Sequence, residues 1–167
     1  MPTYRTRSEP DTIALGQRLA RALPAKRTVL LIGNLGAGKT TLAKGIVSGL
    51  GAADPDEVSS PTFTLIHEYG NGRVYHIDLY RLEELREVAT LGLDEILDRE
   101  AIVLIEWGER FPQILPRERT EIRIRAWPDE EREIAVTELM GFREHPRDRE
   151  AVLKKDCRDT RCCTDVS

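Results

Sequence analysis

Residues 33–40 read Gly-Asn-Leu-Gly-Ala-Gly-Lys-Thr and follow directly on the apolar run Val29-Leu30-Leu31-Ile32. They satisfy G-x-x-x-x-G-K-[ST] at every fixed position, a pattern that few folds can host. It requires a buried strand, a loop wrapped tightly enough to turn successive N–H groups inward, and a helix that starts at once. The strand is expected over about Thr28 to Ile32. The helix is expected from Thr40 to about Leu50, carrying Leu42, Ala43, Ile46 and Val47.

The same spacing specifies a ligand class, a nucleoside triphosphate with magnesium. Backbone N–H groups of Leu35, Gly36, Ala37 and Gly38 would cradle phosphate oxygens, aided by the helix N-terminus. Lys39 would meet the β- and γ-phosphates as a point charge, and the Thr40 hydroxyl would ligate Mg²⁺. The expected cofactors are therefore ATP and Mg²⁺.

Apolar residues Ile13, Leu15, Leu19, Ala20 and Leu23 predict an amphipathic helix from Asp11 to Leu23, capped by Ser8 or Asp11. Thr62–Tyr69 and Arg73–Asp78 read as two strands around the turn Gly70-Asn71-Gly72. Short helices are expected over Leu82–Val88 and Leu93–Leu97, and Ala101–Ile105 reads as a strand buried on both faces. Two alternating strands follow, Thr120–Trp127 and Arg132–Leu139. The fold class is thus α/β, a P-loop-type mixed β-sheet flanked by helices in a single domain.

That domain is expected over residues 1–140. From 141 to 167 the pattern dissolves into seven Lys/Arg and six Asp/Glu with no period, read as a charged, disordered tail. All three cysteines (Cys157, Cys162 and Cys163) fall there, without paired C-x-x-C spacing. A core without cysteine suits a reducing compartment. The start of the chain shows no apolar signal region, so a cytoplasmic protein with no membrane partner is expected. A net charge of −4 supplies no chain-wide basic field, so DNA is not expected as a partner and RNA contact would be local or indirect.

An ATPase loop needs an acid at the end of a neighbouring strand. Glu106 follows Ile102-Val103-Leu104-Ile105, and Asp78 follows Val74-Tyr75-His76-Ile77. Glu106 is assigned to Mg²⁺ with Thr40, and Asp78 to the attacking water or the γ-phosphate end. Ser60 and Thr62 lie between the loop helix and the hairpin, where hydroxyls can sense the γ-phosphate. His67, His76 and Trp107 read as structural.

Leu35-Gly36-Ala37-Gly38-Lys39-Thr40-Thr41, Ser60-Pro61-Thr62-Phe63, His76-Ile77-Asp78-Leu79-Tyr80-Arg81-Leu82 and Ile105-Glu106-Trp107 together resemble the TsaE family over roughly residues 8–140. The resemblance implies a mixed-sheet fold and a weak ATPase acting with TsaB and TsaD. That complex forms the threonylcarbamoyl group on adenosine 37 of tRNAs reading codons that begin with adenine, so tRNA would be met indirectly. It also implies that Thr40 and Glu106 hold Mg²⁺, that Lys39, Thr62, Asp78 and Glu106 serve catalysis, and that Glu9 and Arg132 contact the nucleotide.

The alternative is a small-molecule kinase, although the antiparallel pair after Glu106 leaves little chain for a lid. A guanine-nucleotide switch is disfavoured, because neither Asn34 nor Asn71 begins an N-K-x-D motif.

Overall fold

The computed structural model describes residues 1–141; the expected tail and its cysteines lie outside the described residues. In chain order the elements are β1 (Thr3–Thr6), α1 (Glu9–Ala20), β2 (Arg27–Ile32), α2 (Lys39–Gly49), β3 (Ile66–Tyr69) and β4 (Val74–Asp78). There follow α3 (Leu85–Ala89), α4 (Leu93–Asp98), β5 (Ile102–Glu106), β6 (Arg119–Ala126) and β7 (Arg132–Leu139), with single 3₁₀ turns at Pro55–Glu57, Gly108–Arg110 and Pro112–Ile114.

The seven strands form one mixed sheet in the order β1-β7-β6-β2-β5-β4-β3. The four inner strands β6, β2, β5 and β4 run parallel, and β1, β7 and β3 pair antiparallel at the flanks. Strands β2, β4 and β5 are covered on both faces, which explains their nearly continuous apolar runs.

The period of two divides the core. Val29, Leu31, Val74, Ile102 and Leu104 face Leu15, Leu42, Ala43, Ile46 and Val47 of α1 and α2. Leu30, Tyr75, Ile77, Val103 and Ile105 face the opposite way, against Leu79, Val88, Leu93, Ile96 and Phe111. This parity decides where the site forms. His76 and Asp78 share the face of Val74, and Glu106 shares that of Leu104, so all three lie on the α2 side of the sheet.

Helix α1 begins two residues before the expected Asp11. Ser8 is its cap, its Oγ accepting from Asp11 N–H at 3.2 Å, and Pro10 sits in the first turn, where a missing N–H costs nothing. Strand β3 is shorter than the expected Thr62–Tyr69. Leu65 N–H bonds back to Pro61 C=O at 2.6 Å and Leu65 has φ 69°, so residues 61–65 turn before the strand starts. The hairpin turn at residues 70–72 forms as expected, with Gly70, Asn71 and Gly72 all at positive φ. Strand β1 has no sequence signal of its own: four residues pair with β7, and only Thr6 is buried.

Candidate nucleotide site

The glycine-rich loop connects the C-terminal end of β2 to α2. Gly36 and Gly38 hold φ of 76° and 105°, a left-handed region that side chains disfavour. At Gly38 space matters as well, since a Cβ would lie 2.8 Å from Arg132 Nε. Arg132 opens β7, far along the chain, and its Nε donates to Ala37 C=O at 3.2 Å. It therefore lies across the loop.

Lys39 begins α2. Its ammonium donates to Gly33 C=O at 2.6 Å and Asn34 C=O at 3.0 Å, and it stands 4.2 Å from the centre of the Trp107 ring. Burial pushes its pKa below the usual lysine range, while Glu106, Glu109 and Asp78 pull it back up. Trp107 adopts φ 63°, an uncommon conformation for a residue with a side chain. Its ring also packs against Tyr80 at 5.0 Å, so it forms the floor beneath the lysine.

Thr40 Oγ1 donates to Glu106 Oε1 at 3.1 Å, and His76 Nε2 lies 2.8 Å from the same oxygen. Asp78 and Glu106 are register partners on adjacent parallel strands, both almost fully buried. The two carboxylates nevertheless have different company. Asp78 Oδ2 accepts from Thr62 Oγ1 at 2.8 Å, Oδ1 accepts from Tyr80 N–H at 2.8 Å, and Ser60 Oγ is 2.7 Å from the Thr62 hydroxyl. Glu106 thus belongs to α2 and Asp78 to the 60–62 segment.

A cleft of about 290 Å³ is lined by Leu35, Gly38, Thr40, Thr62, Asp78 and Glu106, with Lys39, Trp107 and Arg132 also on its wall. Most sequence-assigned residues are therefore together. Two stand apart. Ala37 is buried beneath the loop, reaching Arg132 by its carbonyl, and Glu9, exposed in the first turn of α1, pairs with Lys44 of α2 at 3.5 Å.

His76, read from the sequence as structural, reaches the acid of the cleft. His67 and His76 are register partners on β3 and β4. Their side chains differ, however: His67 bonds Thr64 and Tyr69, whereas His76 turns beneath Glu106. The parity of β4, with His76 two residues before Asp78, is the signal that could have found it.

The donor set suits magnesium. A hydroxyl and a carboxylate are hard oxygen ligands, and this metal commonly takes only one or two such groups from protein, the rest from phosphates and water. Among the described residues, no cluster of three or more His, Cys, Asp or Glu side chains could hold a metal. No helix among them is long and apolar enough to cross a membrane.

Residues 6–134 match the family model described as threonylcarbamoyl adenosine biosynthesis protein TsaE. The chain is 41% identical over 136 residues to the tRNA threonylcarbamoyladenosine biosynthesis protein TsaE of Bacillus subtilis, covering 80% of this chain and 84% of that one. The protein of the same name from Treponema pallidum is 40% identical over 132 residues, covering 78% of this chain and 96% of its own. The crystal structure of Bacillus subtilis YdiB superposes with a TM-score of 0.67 at 32% identity, over 93% of this chain and 92% of that chain. A loop, two strand-end acids and a sheet order of this kind, joined to matches over most of the chain, have one conclusion: the chain belongs to the TsaE family of threonylcarbamoyl adenosine biosynthesis proteins.

Proposed function

We propose that this chain is a Mg²⁺-dependent ATPase that works with TsaB and TsaD in forming the threonylcarbamoyl group on adenosine 37 of tRNA. It would hydrolyse ATP in the cytoplasm to drive or reset that complex, meeting tRNA only through its partners. The observation that carries the reading is the bond from Thr40 to Glu106, set across one cleft from the Thr62–Asp78 pair.

Each residue then has a distinct task. The N–H groups of the loop and the N-terminus of α2 receive the phosphates, and the Lys39 ammonium leaves its carbonyl partners for the β- and γ-oxygens. Thr40 donates its hydroxyl hydrogen bond to Glu106, which leaves the lone pairs of its own oxygen for a metal. Bound Mg²⁺ would neutralise charge developing on the phosphate oxygens. Asp78 has both oxygens tied, one of them to Thr62, so it acts through the hydroxyls of the 60–62 segment to orient a water at the γ-phosphate end. Arg132 closes the cleft from β7. Glu9 contributes from α1 only at the rim.

Comparing two isosteric variants tests these roles. Glu106→Gln is expected to raise the magnesium concentration needed for tight binding of fluorescent ATP, because the metal bridges protein and phosphates. Asp78→Asn is expected to bind ATP with near-normal affinity yet lower single-turnover hydrolysis by about 10²-fold or more, as for a group that acts mainly in the transition state. If Asp78→Asn alone proves magnesium-sensitive, the two roles are reversed. Full hydrolysis in both variants would end the ATPase assignment of this cleft.

A further inference from the structure

His76 has no solvent exposure. It lies in the middle of β4 between Tyr75 and Ile77, which belong to the apolar layer on the other side of the sheet. A packing role alone would be filled better by leucine, because an imidazole buried there must satisfy two ring nitrogens. Only one is satisfied. Nε2 lies 2.8 Å from Glu106 Oε1, and Nδ1 is buried without a partner. A carboxylate oxygen only accepts, so Nε2 carries the hydrogen, and Nδ1 is the ring nitrogen left unpaired. The fold tolerates that loss at a residue whose one bond ends on the acid of the cleft.

The Thr40 hydroxyl reaches the same Oε1 from α2, at 3.1 Å. Two donors from different elements therefore converge on one oxygen and hold the carboxylate in a single orientation. Among the described residues no donor is bonded to Oε2. We propose that His76 is the positioning residue for Glu106, holding Oε1 from within the sheet so that Oε2 is the oxygen offered to magnesium. The proposal rests on reading Glu106 and Thr40 as the magnesium side of the cleft. It does not make His76 a ligand of metal or nucleotide.

Loss of a partner that orients a ligating side chain commonly weakens metal binding by about 10- to 100-fold. His76→Leu keeps the volume and removes the donor. His76→Gln replaces Nε2–H with an amide N–H of similar reach, while His76→Asn carries an amide too short to reach Oε1. The readout is binding of a fluorescent ATP analogue, titrated with Mg²⁺ and repeated in EDTA, with melting temperature recorded for every variant.

The expected result is a roughly tenfold higher magnesium requirement for His76→Leu and His76→Asn. Affinity in EDTA should change by no more than about twofold, and His76→Gln should return the requirement to within about twofold of the native value. If His76→Leu does not fold, the Asn and Gln pair carries the comparison. Equal losses in EDTA and in magnesium, tracking the fall in melting temperature, would make His76 a core residue and overturn the proposal. So would a native magnesium requirement in His76→Asn. Glu106→Gln run in parallel separates the two levels: if it too needs no extra magnesium, the metal assignment of Glu106 fails, and the positioning role falls with it.

Discussion

Glu109, three residues after the acid of the cleft, shows how a side chain can be held against its own ionisation. Its Oε2 is buried without a partner, and burial raises its pKa above the usual carboxylate range, opposed by its own backbone N–H and then by attraction to Lys39, Arg123 and Arg110. The fold therefore favours its protonated form. The penalty is absent in acid, where folded and unfolded chains both carry the proton, and it develops as pH rises through the usual glutamate range. Glu109→Gln is expected to melt above the native protein at about pH 8, with the gap closing by about pH 4. Thermal unfolding at both pH values checks this; a gap that widens in acid would mean that the carboxylate is stabilised in place. The motif around Lys39 was readable from sequence because its parts are contiguous. The burial of Glu109 was not, since nothing in Gly108-Glu109-Arg110 marks one carboxylate oxygen as enclosed.

Helices α1 and α2 cross at two glycines that pack backbone to backbone. A Cβ on Gly45 would lie 2.2 Å from Ile13 C=O, and one on Gly16 would lie 2.6 Å from Leu42 C=O. Neither residue is at positive φ, so the requirement is space alone. Because α2 carries Lys39 and Thr40 at its first turn, this crossing also sets where that end of the helix points. Gly45→Ala is expected to lower unfolding stability by about 1–3 kcal/mol, the usual cost of overpacking, and to weaken ATP binding with it. Urea denaturation and nucleotide titration measure the two effects. Unchanged stability would show that the helices can part without cost. The amphipathic pattern of α1 was legible from Ile13, Leu15 and Leu19, but its partner was not, because two glycines on separate helices show no pairing in sequence.

Across the whole sheet, β7 is the last strand among the described residues and is paired on both sides, to β6 and to β1. The open edges of the sheet are β1 and β3, so β7 itself offers no free edge for the residues after it to pair with. Removing residues 143–167 is therefore expected to change the melting temperature by less than about 2 °C and to leave ATP binding unaltered. Calorimetry on the shortened chain decides it, and a fall of many degrees would show that the later residues pack on the domain. What the sequence determined alone is local and contiguous: the strand, loop and helix around Gly33–Thr40, the hairpin turn at residues 70–72, and an acid at the end of each of two apolar runs. Only the tertiary structure decided that β4 lies beside β5, making Asp78 and Glu106 register partners, that Arg132 lies over Gly38, and that His76 lies beneath Glu106. Strand order is settled by competition among long-range packings of similar apolar runs, and a chain read residue by residue contains the runs but not their neighbours.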